Sequence, residues 1–247
     1  MAETNRTDLS PSAPPWWVLA LPYIVPFGVM LGLTALADAL PNLRVELYGT
    51  RVILVCALLG VFWRHYPRLR PRLDGPTAVA ALVGLGIIVF WIAADRFYPQ
   101  SWAEWQQLFR QGWQLFPHAE KQAGGFDPYS SVGLLPPVLG ISLRVFGAVV
   151  MVPLAEELFH RGWLLRFLIR DDIRRVPLGT YTFASFAWSS LFFGLSHHEW
   201  LAGILCGALL NLLLYWRRDL WLCIVAHATA NLGLAVWVLT RQDWQFW

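Results

Sequence analysis

The stretch VFGAVVMVPLAEELFHRGWLLRFLI, Val145 to Ile169, is apolar at both ends and ionisable in its middle, where Glu156, Glu157, His160 and Arg161 fall within two turns. A helix of this length crosses a hydrocarbon core of about 30 Å. An ionisable group at mid-depth costs roughly 2.5–3.5 kcal/mol on insertion scales, so such groups face a protein interior or a wet cavity. The stretch therefore reads as a membrane helix that carries a functional site. The alternative reading is a span ending near Leu154, followed by an amphipathic surface helix over Ala155–Arg170.

The rest of the chain favours the membrane reading. Of 247 residues, 57% are hydrophobic and 14% charged, and the mean hydropathy of +0.47 lies far from the balance of a water-soluble domain. Spans are expected near Trp16–Ala37, Leu47–Trp63, Pro76–Ala94, Val145–Ile169, Tyr181–Ser196, Leu201–Trp216 and Leu220–Leu239. The fold class is thus an all-α polytopic membrane helix bundle with about 7–8 transmembrane helices, in a single domain over residues 1–247. Residues 1–15 form a polar N-terminal tail, and residues 145–239 hold the catalytic core. That tail has little positive charge and is followed by no small-residue cleavage pattern, so Trp16 onward is expected to stay as the first span.

The arginines set the expected orientation. Arg64, Arg68, Arg70 and Arg72 crowd one loop, Arg170, Arg174 and Arg175 another, and Arg217 and Arg218 a third. With seven spans these loops share a side, which the positive-inside rule makes cytoplasmic, together with the N-terminus. Arginines flanking spans need no nucleic-acid partner to explain them. The chain is expected to be an integral membrane protein. Between spans three and four, "SWAEWQQLFRQGWQLF" places Trp102, Trp105, Phe109, Trp113 and Phe116 at helical spacing, as for a helix lying in the interface. Cys56, Cys206 and Cys223 fall inside spans without paired spacing and read as small buried apolar residues.

Helical geometry sorts the polar cluster. Glu157 and Arg161 form an i,i+4 pair with the acid toward the N-terminus, the favourable order. Glu156 projects about a hundred degrees away, stacked with His160, and has no cation of its own in this stretch; it is the carboxylate left to act as a base. Phe193 and His197 are one turn apart in "FFGLSHHEW", with His198 and Glu199 following. His227 and Asn231 are one turn apart in "CIVAHATANLG". A carboxylate and an imidazole can deprotonate a shared water, and ring or amide N–H groups can stabilise an oxyanion in a water-poor site. Hydrolysis of a peptide bond inside the membrane is the economical outcome.

The order E-E-x-x-x-R (Glu156, Glu157, Arg161), F-x-x-x-H (Phe193, His197), H-x-x-x-N (His227, Asn231) resembles the CPBP or Abi family, which includes the type II CAAX prenyl endopeptidases. The resemblance covers about Leu143–Leu239 and implies a mostly helical, glutamate-dependent intramembrane endopeptidase without a cofactor. It implies that Glu156 with His197 activates the water, that His227 and Asn231 hold the oxyanion, and that Glu157 with Arg161 braces the site. Such proteases are expected to have about eight helices and a cavity open to the cytosol. The N-terminal half looks similar to the variant found beside bacterial exosortase sorting systems, which implies a link to such a system. The expected partners are a membrane-associated protein or peptide substrate and the lipid bilayer, with no nucleic acid.

Two rivals stay open at this level. Glu156, His160, His197 and His227 offer enough donors for zinc, although no H-E-x-x-H is present. A noncatalytic scaffold, an immunity-type protein or a small transporter would use the same buried groups to bind rather than to react.

Overall fold

The computed structural model describes residues 14–95, 137–197 and 199–246. The polar tail up to Ala13, the expected interfacial helix around Trp102–Phe116, and His198 lie outside them. Among the described residues the secondary structure is helical, with no strand. Seven long helices appear among these residues: α1 (Trp16–Ala39), α2 (Arg44–Val61), α3 (Gly75–Asp95), α4 (residues 137–167), α5 (Phe183–Leu195), α6 (Trp200–Arg217) and α7 (Leu220–Arg241). Five of them, α1, α3, α4, α6 and α7, are long and apolar enough to cross a membrane. In α2 the charges of Arg44, Glu46 and Arg51 interrupt an otherwise apolar 18-residue helix.

The expected spans correspond to these helices, with two differences. Helix α4 is already helical at Pro137, eight residues before the expected start of the fourth span. Helix α5 has only 13 residues, about 20 Å of rise, so it does not traverse a core of about 30 Å. His197 follows its C-terminal end by two residues.

Helix α4 organises the bundle. Between Met151 and Leu165 it is buried on nearly every side, so its four ionisable side chains face protein. One face packs with Tyr23 and Phe27 of α1 and Val52, Val55 and Leu59 of α2. Farther along, Leu165 joins a second cluster formed by Ile87 of α3, Phe193 of α5, Leu210 of α6 and Cys223 and Ala226 of α7. The three cysteines are free, with Cys206 and Cys223 buried.

Two features show how closely these helices approach. A methyl at Gly84 would run into the Ala226 carbonyl of α7 and sit 2.8 Å from Thr229 Cβ. Gly84→Ala is therefore expected to destabilise the α3–α7 pair by about 1–3 kcal/mol, because backbone cannot move aside; a thermal melt in detergent checks this. In α1, Pro26 has no N–H to give the Pro22 carbonyl, and the Tyr66 hydroxyl donates to that oxygen instead, at 2.7 Å. Burial, with the Tyr23 phenol beside it, holds the Tyr66 hydroxyl above its usual pKa, so it remains a donor.

Candidate active site

Helix α4 is not a uniform α-helix. Residues Gly147–Met151 and Leu158–Leu164 adopt π-helical turns, on either side of the α-helical Val152–Glu157. The first follows from Pro153, whose ring would clash with the carbonyl four residues back and which donates no hydrogen bond. Widening the preceding turn relieves that clash, and the Val152 N–H reaches the Gly147 carbonyl, five residues away. The glutamates thus sit between two wide turns, a distortion common at functional sites.

The expected pair between Glu157 and Arg161 forms, with Nη1 donating to Oε1 at 3.1 Å and both side chains fully buried. A buried guanidinium needs more than one partner. Arg161 Nε donates to Asn211 Oδ1 at 3.0 Å and Nη2 to the Gly207 carbonyl at 2.8 Å, both on α6. Asn211 donates in turn to Ser190 Oγ of α5 at 3.1 Å. Sequence reasoning missed Asn211, Ser190 and Gly207. The available signal was a lone asparagine within the apolar run LLNLLLY, which in a membrane helix must find a partner on a neighbouring helix.

The same Glu157 oxygen accepts a hydrogen bond from His227 Nδ1 at 2.9 Å. A carboxylate acceptor places the ring proton on Nδ1, which leaves Nε2 as a bare acceptor in the neutral ring. That Nε2 lies 3.9 Å from Glu156 Oε2, too long for a direct bond and suited to a bridging water. Glu156 Oε2 is buried and has no hydrogen-bond partner among the described residues. Sequence reasoning paired Glu156 with His197; the imidazole within 4 Å of Glu156 is that of His227.

His197 is fixed by similar logic. Its Nδ1 lies 2.7 Å from the Phe193 carbonyl, which can only accept, so this ring too carries its proton on Nδ1 and presents Nε2. The ring stacks on Phe193 with centroids 4.8 Å apart and meets Trp91 of α3 edge-on at 5.7 Å. Phe193, 1% exposed, is the hub of the site. Besides His197 it touches His160 at 5.1 Å and His227 at 5.7 Å, and the Arg161 guanidinium lies over its face at 4.6 Å. Gly207 makes room for it, because a Cβ there would sit 2.9 Å from Phe193 Cβ.

Two expected residues differ in their surroundings. His160 was expected on the same face as Glu156; its ring is set edge-on to Phe27 and Phe159 and beside Phe193, with neither nitrogen hydrogen-bonded among the described residues. Asn231 Nδ2 donates to the Ala148 carbonyl at 2.8 Å, so one of its two hydrogens is already committed. The zinc alternative needs Glu156, His160, His197 and His227 to converge. Among the described residues no group of three or more His, Cys, Asp or Glu side chains is arranged to hold a metal ion.

The structure thus gathers groups from α4, α5, α6 and α7 around one aromatic ring, about 10–20 Å from the arginine-rich helix ends by helical rise. No curated protein and no solved structure matches the chain. Residues 138–233, which contain every member of the three motifs, match the family model described as type II CAAX prenyl endopeptidase, Rce1-like.

Proposed function

We propose that this chain is an intramembrane endopeptidase that hydrolyses a peptide bond of a membrane-associated protein or peptide with a water activated by Glu156. The observation that carries this reading is the buried, unpartnered Glu156 Oε2, 3.9 Å from an imidazole nitrogen whose tautomer Glu157 dictates. A water in that gap gives its proton to Glu156, and its oxygen bonds to the peptide carbonyl carbon. The C–N bond then breaks, and the proton passes to the leaving amine. His197, with a free Nε2, is the proposed partner of Glu156 in these proton transfers. His227, held in place by its bond to Glu157, is the proposed group beside the developing oxyanion.

This mechanism uses no metal. Turnover by purified protein is expected to persist in a strong chelator, whereas its loss, restored by added zinc, would favour the metalloenzyme. The substrate reading is tested by mass spectrometry of membrane-protein termini in cells with and without the gene. A terminus that appears only with the gene, and not with Glu156→Gln, is the expected result. If that substrate carries an exosortase-type sorting signal, the proposed link to such a system holds. A set of termini that does not change would count against the protease and for a scaffold.

A further inference from the structure

The first π-helical turn of α4 leaves a carbonyl that the helix itself does not serve. Val152 gives its N–H to the Gly147 carbonyl. In that register the next donor, owed to the Ala148 carbonyl, would be residue 153, which is proline and has none. An unpaired carbonyl inside a membrane bundle is costly. Asn231 of α7 supplies the missing donor at 2.8 Å. The chain uses the same device in α1, where Pro26 frees the Pro22 carbonyl and Tyr66 donates to it.

We propose that Asn231 is a positioning residue, which stands in for the N–H that Pro153 lacks and so fixes the rotation of α4 at Glu156 and Glu157. The carboxylates follow Pro153 by three and four residues, and α7 then holds α4 at two points, Ala148 through Asn231 and Glu157 through His227. A slip of the wide turn would rotate both glutamates relative to His227. The consequence for catalysis rests on the protease reading; the hydrogen bond and its coupling to Pro153 do not.

The test is a double-mutant cycle between Pro153→Ala and Asn231→Ala, read first as thermal midpoints in detergent. Because alanine at 153 restores a backbone donor, Asn231→Ala should lower the midpoint clearly in the natural sequence and by less than half as much in the Pro153→Ala background. Equal losses in the two backgrounds would overturn the proposal. In cleavage assays, Asn231→Ala should lower kcat with little change in KM, and adding Pro153→Ala should recover part of that loss. A pure oxyanion donor would show no such recovery.

Should Pro153→Ala fail to fold, hydrogen exchange of the asparagine side-chain amides in the otherwise natural protein decides. The Asn231 amide hydrogen bound to Ala148 should exchange about a hundredfold more slowly than those of the exposed Asn42. Exchange at the Asn42 rate would sink the idea. Absence of any cleavage by the natural protein would remove the protease reading and leave both stability measurements intact.

Discussion

Replacing Glu157 with alanine is expected to cost about 3–5 kcal/mol of stability, because it strands a fully buried guanidinium. Arg161 would keep Asn211 and the Gly207 carbonyl, both neutral, and lose its only described counter-charge. His227 would lose the acceptor that fixes its tautomer. Glu157→Ala should therefore melt well below the natural protein in detergent and accumulate poorly in the membrane. Restoring neutrality by a second change, Arg161→Met, should recover stability without activity, since replacing a whole buried pair by apolar groups is often neutral or better. A melting temperature unchanged by Glu157→Ala would show that the Arg161 charge is balanced elsewhere.

The second large effect is expected at the neighbouring carboxylate, with the opposite division between folding and chemistry. Glu156→Gln is close to isosteric, and Oε2 has no hydrogen bond to lose, so the thermal midpoint should move little. Turnover should fall by about 10²–10⁴-fold, the usual worth of a general base. Because the water-activating group is removed rather than a contact to substrate, the loss should appear in kcat more than in KM. Full activity in Glu156→Gln would end the assignment of this residue as the base, and the protease reading with it.

The contrast between these adjacent glutamates was legible in the sequence, because i,i+4 spacing alone gave Arg161 to Glu157 and left Glu156 without a cation. The helices were legible as well, since runs of apolar residues of spanning length admit few other fates. What escaped was anything that depends on departure from the regular α-helical period. The spacing of the polar residues did not mark Pro153 as a source of distortion, so the wide turns around Glu156–Glu157 went unforeseen. The role of Asn211 was hidden because its partner, Arg161, lies fifty positions away, on another helix. The choice between His197 and His227 as neighbour of Glu156 was not decidable from spacing, since it depends on how α4, α5 and α7 cross.

The 13-residue length of α5 ends it among the side chains of neighbouring helices, where Phe193 packs with Leu210 and Ala226. The last carbonyls of the helix are served locally: Gly194 accepts from the N–H groups of Ser196 and His197, and Phe193 from the Ser196 hydroxyl and His197 Nδ1. A helix end capped in this way can stand inside an apolar bundle without water at its backbone. The same bonds tether the His197 imidazole to its own helix end, so that it is a fixed rather than a swinging ring.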